Sequence, residues 1–157
     1  MMATTHALVG VMIAKALQDP LMASSVIIAS HYLLDLIPHW DFGTDWKQRS
    51  IRSTGILAIL DTVFAFFICF LLFSHDLPLT TIFLCVCLAN APDWLIAPYF
   101  LLFSSKEGYH KSRGGRFGVL YGKFLHYEEK YVHTKTTSIH GILTQIGTVV
   151  FFYLLLK

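Results

Sequence analysis

The chain has 157 residues, 55% of them hydrophobic and 14% charged, against about 45–50% apolar and about 25% charged in soluble domains. A formal charge of +2, with the basic residues gathered in two loops instead of covering a face, gives no support to nucleic acid as a partner. The bilayer is the expected solvent, and the length allows one domain, because a spanning helix uses about 20 residues and about five such segments nearly exhaust the chain.

The N-terminus lacks the basic region and small-residue cleavage site of a signal peptide, so it is expected to be retained. Residues 4–17 and 21–38 are apolar and helical in character, each near or below the roughly 17-residue minimum for spanning. They are predicted to form a tight hairpin around Asp19-Pro20, with Pro20 in the first turn of the second helix and Pro38 ending it. Residues 56–73 and 79–103 are almost wholly apolar and read as spans, as does 138–156. Between the last two, Phe117, Leu120, Tyr121, Phe124 and Leu125 follow the i, i+3, i+4, i+7, i+8 spacing of an amphipathic helix suited to a membrane surface. Cys69, Cys85 and Cys87 lie inside apolar runs without metal-binding spacing and read as small core residues.

The expected fold is therefore all-α, a polytopic membrane bundle of about five segments plus a cytoplasmic amphipathic helix. Lys47, Arg49 and Arg52 precede the third segment. Lys106, Lys111, Arg113, Arg116, Lys123, Lys130 and Lys135 lie between the fourth and fifth, while the turn at residues 74–78 has neither Lys nor Arg. Lys and Arg are retained on the cytoplasmic side, so both basic loops and the N-terminus are expected there, in the inner membrane. Trp40, Trp46 and Trp94 read as interfacial anchors.

Ionisable residues inside spans are costly and mark functional sites. His6 opens the first segment, His31 and Asp35 sit in the second, Asp61 in the third, Asp93 in the fourth, and His140 opens the fifth. The orientation derived from Lys and Arg puts all of them in the cytoplasmic half, with Asp61 roughly 8–10 Å in and Asp93 roughly 15 Å in. His31 and Asp35 share one helical face, and beyond Pro38 the chain can fold His39 and Asp41 back toward them. Two imidazoles and two carboxylates in SHYLLDLIPHWD suit Zn, Mn or Fe. The eight candidates together suffice for one ion, or for two about 3.5–4 Å apart that share a carboxylate. His75 falls on the opposite side, and His110, His126 and His133 read as solvated loop histidines, with contact to substrate as the alternative. Arg113 and Arg116 are candidate phosphate ligands in SRGGRFG, although positive-inside topology explains them equally.

The opening TTHALVG, the SHYLLDLIPHWD segment, the intramembrane aspartates and the late SIHG together resemble a family of small bacterial inner-membrane proteins described as LexA-regulated, membrane-bound metal-dependent hydrolases. The resemblance implies a metal site at His6, His31, Asp35 and His140. Two segments differ: TSIHG stands where an HRGxTHS-type motif is common, and PHWD where a DxDH-like cluster is common. The pattern is also similar, in architecture alone, to the all-helical zinc-dependent phospholipases C.

The expected function is a divalent-metal hydrolase acting on a phosphoester of a lipid or other membrane-associated substrate. His6, His31, Asp35, Asp61, Asp93 and His140 are the candidate ligands, and His39 and Asp41 are ligands or catalytic partners, with Asp41 as a candidate general base. A metal-ion or proton transporter and a non-catalytic structural membrane protein remain as alternatives. The first needs polar residues running on to the opposite face, and the second binds no metal.

Overall fold

The computed structural model describes residues 1–41, 51–102 and 115–156. Lys47, Arg49, Trp46, Lys106, His110, Lys111 and Arg113 lie outside them. The described residues form six helices: α1 (Ala3–Ala16), α2 (Pro20–Asp35), α3 (Ile51–Phe73), α4 (Leu79–Leu102), α5 (Gly115–Tyr131) and α6 (Ser138–Leu155). In two of them the stretches Gly55–Phe73 and Ser138–Leu155 are long and apolar enough to cross a membrane, whereas Ala3–Ala16 and Leu79–Leu95 are apolar but shorter.

The hairpin forms where the sequence places it. Asp19 caps α2, its carboxylate accepting from the Met22 amide at 2.6 Å, and Pro20 occupies the first turn, where its missing N–H costs nothing. The helix stops at Asp35, three residues before Pro38.

α1 packs against α2, α3, α4 and α6. At about 21 Å it is shorter than the roughly 30 Å hydrocarbon core, and it is the central pillar of the bundle, with Ala7, Val9, Gly10, Val11, Met12 and Ile13 all buried. A helix apolar on every side belongs inside a bundle. Gly10 allows the close approach: a Cβ there would lie 3.0 Å from Ala89 Cβ and 3.3 Å from Ile27 Cγ2.

The outer helices split their faces. α3 buries Asp61, Ala65, Cys69 and Phe73, one residue per turn, and exposes Ile56, Ile59, Leu60, Val63, Phe64 and Phe67. Apart from Phe73 the inward residues are small and the outward ones large and apolar, a distribution compatible with packing within lipid. Cys69 and Cys85 are free and buried. α6 buries Gly141, Gln145 and Thr148. α5 packs on α4, with the Tyr121 hydroxyl donating to the Leu95 carbonyl. The stripe expected on α5 divides: Leu125 is buried and Tyr121 half-buried, while Phe117, Leu120 and Phe124 stay exposed.

Candidate metal centre

The start of α1, the end of α2 and the later part of α4 meet at one level. His6 and His31 stack with ring centroids 4.0 Å apart. Asp35, fully buried, lies between them, with Oδ1 3.2 Å from His6 Nε2 and Oδ2 3.3 Å from His31 Nε2. Asp93 Oδ1 is 3.6 Å from His31 Nε2, and its side chain is 30% exposed, so the cluster opens on this side.

Beyond α2 the chain turns back. His39 Nε2 lies 3.8 Å from Asp35 Oδ1 and 3.5 Å from Asp41 Oδ2. The segment is held there by a partner distant in sequence: Thr134 N donates to Asp35 O, His39 N to Thr134 O and Thr136 N to His39 O, all within 2.9–3.1 Å. This parallel pairing of residue 39 with residue 135 carries His133 into the cluster, its Nε2 3.2 Å from Asp35 Oδ2.

α6 braces the same segment. Thr144 Oγ1 donates to Pro38 O at 2.5 Å and Gln145 Nε2 to Trp40 O at 2.8 Å, while Gln145 Oε1 accepts from Met2 N at 2.9 Å and Thr5 Oγ1 at 3.1 Å. Gly141 makes this possible, because a Cβ there would lie 2.8 Å from the His39 carbonyl carbon and closer still to the Trp40 nitrogen.

Two backbone carbonyls decide what the imidazoles offer. His31 Nδ1 lies 2.7 Å from Ala89 O and His39 Nδ1 2.8 Å from Ile37 O. A carbonyl only accepts, so each Nδ1 carries a proton, and Nε2 is the nitrogen each ring turns toward the carboxylates. Both Nε2 atoms are buried without a hydrogen-bond partner, as are both ring nitrogens of His6 and Asp35 Oδ2. Lone pairs facing carboxylate oxygens repel unless a cation or a proton lies between them, and a carbonyl on the second nitrogen is the usual support of a metal-binding histidine. The Met1 α-amino group also contacts Asp35. Two sets of ligand atoms, His6/His31/Asp93 and Asp35/His39/His133, each lie within 4.8 Å of one another, so these clusters could hold a metal ion.

Outside the helices, charge and burial set two further groups. Burial pushes the Asp41 carboxyl up, but the adjacent His39 imidazole and the positive charges of the amino terminus and Lys135 outweigh it and hold the group well below the usual carboxylate range. Burial lowers His133 below its ordinary 6.5 in spite of the opposing pull of Asp35, leaving it neutral as a ligand must be.

Two candidates stand elsewhere. Asp61 accepts from Ala3 N at 2.7 Å, Thr4 N at 3.3 Å and Thr4 Oγ1 at 2.6 Å. It caps α1, which has no side-chain cap of its own, because a carboxylate suits the positive end of a helix. His140 is exposed, with Nδ1 2.8 Å from Thr137 Oγ1. Arg116 is exposed on α5, in a shallow groove with Val119, Leu120 and Lys123. Sequence reasoning missed His133, since nothing local distinguishes it from the other histidines between the fourth and fifth segments.

No protein-family model, curated protein or solved structure matches this chain. Among the described residues, fold and site by themselves define an all-helical protein with two helices long and apolar enough to cross a membrane and buried His/Asp clusters that could hold a metal ion.

Proposed function

We propose that this protein is a multi-pass inner-membrane hydrolase, metal-dependent, with its centre toward the cytoplasm, acting on a phosphoester of a lipid or another membrane-associated substrate. The observation that carries the reading is Asp35, a fully buried carboxylate with the Nε2 atoms of four histidines within 3.2–3.8 Å. The Met1 amino group supplies one cation against Asp35, yet His6, His31 and His39 still present buried ring nitrogens without a partner, and burying such groups in an apolar bundle is costly without a further cation to hold them.

Nitrogen and oxygen ligands in this ratio suit Zn, Mn or Fe. A divalent ion supplies Lewis acidity toward a phosphoryl oxygen and lowers the pKa of a water. The chain contributes His6, His31, Asp35 and Asp93 as ligands, with His39, His133 and Asp41 beside them. A carboxyl held as low as Asp41 is a weak proton acceptor at neutral pH, so its role is to orient or ligate and not to act as general base. The partly exposed Asp93 marks the approach for substrate.

A transport function finds less support. Beyond the cluster the core is Val9, Val11, Met12, Ile13, Ile27, Ile82, Val86 and Phe73, which offers little to an ion crossing the bundle.

Metal analysis by plasma mass spectrometry on detergent-purified protein tests the proposal. Wild type and His75→Ala should carry one or two equivalents of a transition metal, and a His31→Ala/Asp35→Ala variant none. Metal-loaded protein should then turn over a lipid phosphoester. Absence of metal from wild type even after reconstitution would favour a structural membrane protein.

A further inference from the structure

The two sets of ligand atoms differ in how they are built. His6, His31 and Asp93 stand on α1, α2 and α4. Their spacing is set by helix packing, including the close contact of Gly10 with Ala89 and Ile27, and by the hydrogen bond between His31 and Ala89 O. Of the second set only Asp35 is helical. His39 lies on the segment leaving α2, and His133 on the link between α5 and α6. The two are brought together by three backbone hydrogen bonds between segments almost a hundred residues apart in sequence.

Both sets contain buried nitrogen without a partner: His31 Nε2 in the first and His39 Nε2 in the second, each on a fully buried side chain. His133 is the most open of the four histidines, with 11% of its side chain exposed. Asp35 serves both sets, because its oxygens lie 3.2 Å from His6, 3.3 Å from His31 and 3.2 Å from His133.

We propose that the centre takes two divalent ions at unlike positions: a resident ion held by His6, His31 and Asp93, and an exchangeable ion held by His39 and His133, the two sharing Asp35. The exchangeable ion closes the site by fastening the α5–α6 link to the end of α2. The helix-built position is preformed and loses little freedom on binding. The second position is complete only when the link is docked, and the ordering of that link lowers its affinity. His133 is thus a ligand of the weaker position and also its latch.

The inference rests on the metal-binding part of the reading above and not on hydrolysis, so it is tested by binding alone. Full-length protein in detergent is stripped with chelator, reloaded with Mn²⁺ or Zn²⁺, and titrated against chelators of graded strength, with bound metal counted after gel filtration. Wild type should bind two equivalents whose affinities differ by about tenfold or more, and the Mn²⁺-loaded form should give the paramagnetic resonance signal of a coupled pair. His133→Ala should keep the tight equivalent, lose the weak one and give the signal of an isolated ion. His6→Ala should lose the tight equivalent. If either variant elutes as aggregate, His133→Gln and His6→Gln replace it. One equivalent in wild type, lost alike in both variants, would overturn the unequal pair while leaving a metal site. Two equivalents of equal affinity removed together would overturn it as well, and no metal at all would overturn the metal reading itself.

Discussion

Asp35 meets the Met1 amino group, but buried ring nitrogens of His6, His31 and His39 have no hydrogen-bond partner, so the residue scale is where the metal reading is most exposed to test. The chemistry divides the aspartates. Asp61 satisfies backbone donors at the start of α1, and Asp61→Ala should lower stability by about 1–2 kcal/mol, read from thermal melts in detergent, with bound metal unchanged. His140→Ala, at an exposed position, should change neither by more than about 0.5 kcal/mol. Loss of metal in either variant would put these residues back among the ligands. The pH dependence has a definite sign. Burial holds His133 below 6.5, so protons compete with an ion there only below that value. With free metal held constant in the buffer, the ion it helps to hold should stay bound at pH 7 and be lost as the pH falls below 6.5, as metal content against pH would show.

At the scale of elements, α6 does for the site what its histidine was expected to do, but through a glycine and a glutamine. A methyl group at Gly141 would collide with the backbone of residues 39 and 40. Gly141→Ala should therefore cost about 1–3 kcal/mol and release metal by displacing His39. Gly147 on the same helix has open space around it, so Gly147→Ala should be neutral or slightly stabilising. Equal effects of the two substitutions would count against the bracing contact. On α5, Phe117, Leu120 and Phe124 remain exposed beside Arg116 and Lys123, an arrangement fitted to the headgroup boundary. A spin label at Leu120 should be quenched by lipid-soluble reagents more than one at Lys130.

For the whole molecule, the question is which way the bundle faces. The cluster lies at the end where α2 exits and α6 begins. At the other end Lys15 and Asp76 form an exposed ion pair at 2.6 Å, worth at most about 1 kcal/mol. With the site toward the cytoplasm, a cysteine placed at His75 should react with an impermeant thiol reagent on intact cells, and one placed at Thr134 only after lysis. The reverse pattern would invert the proposed topology.

Helix positions were legible from residue order because they follow from local physics: apolar runs, the Asp19-Pro20 start, and the i, i+4 spacing that puts His31 and Asp35 on one face. The meeting of His6, Asp35 and Asp93 at one end of the bundle was legible too, since position along a helix is a matter of counting residues. What tertiary structure alone decided was the choice between histidines seven positions apart. His133 enters the cluster because residues 134–136 pair with the backbone at the end of α2, and His140 stays outside because α6 turns Gly141 toward that backbone and leaves the imidazole in the open. Neither event leaves a periodic trace in the sequence, because a hydrogen-bonded contact between distant extended segments is made by the main chain, which every residue carries alike. For the same reason Asp61 looked like a ligand: its partners are the amides at the start of another helix, and only the packing of α3 against α1 revealed them.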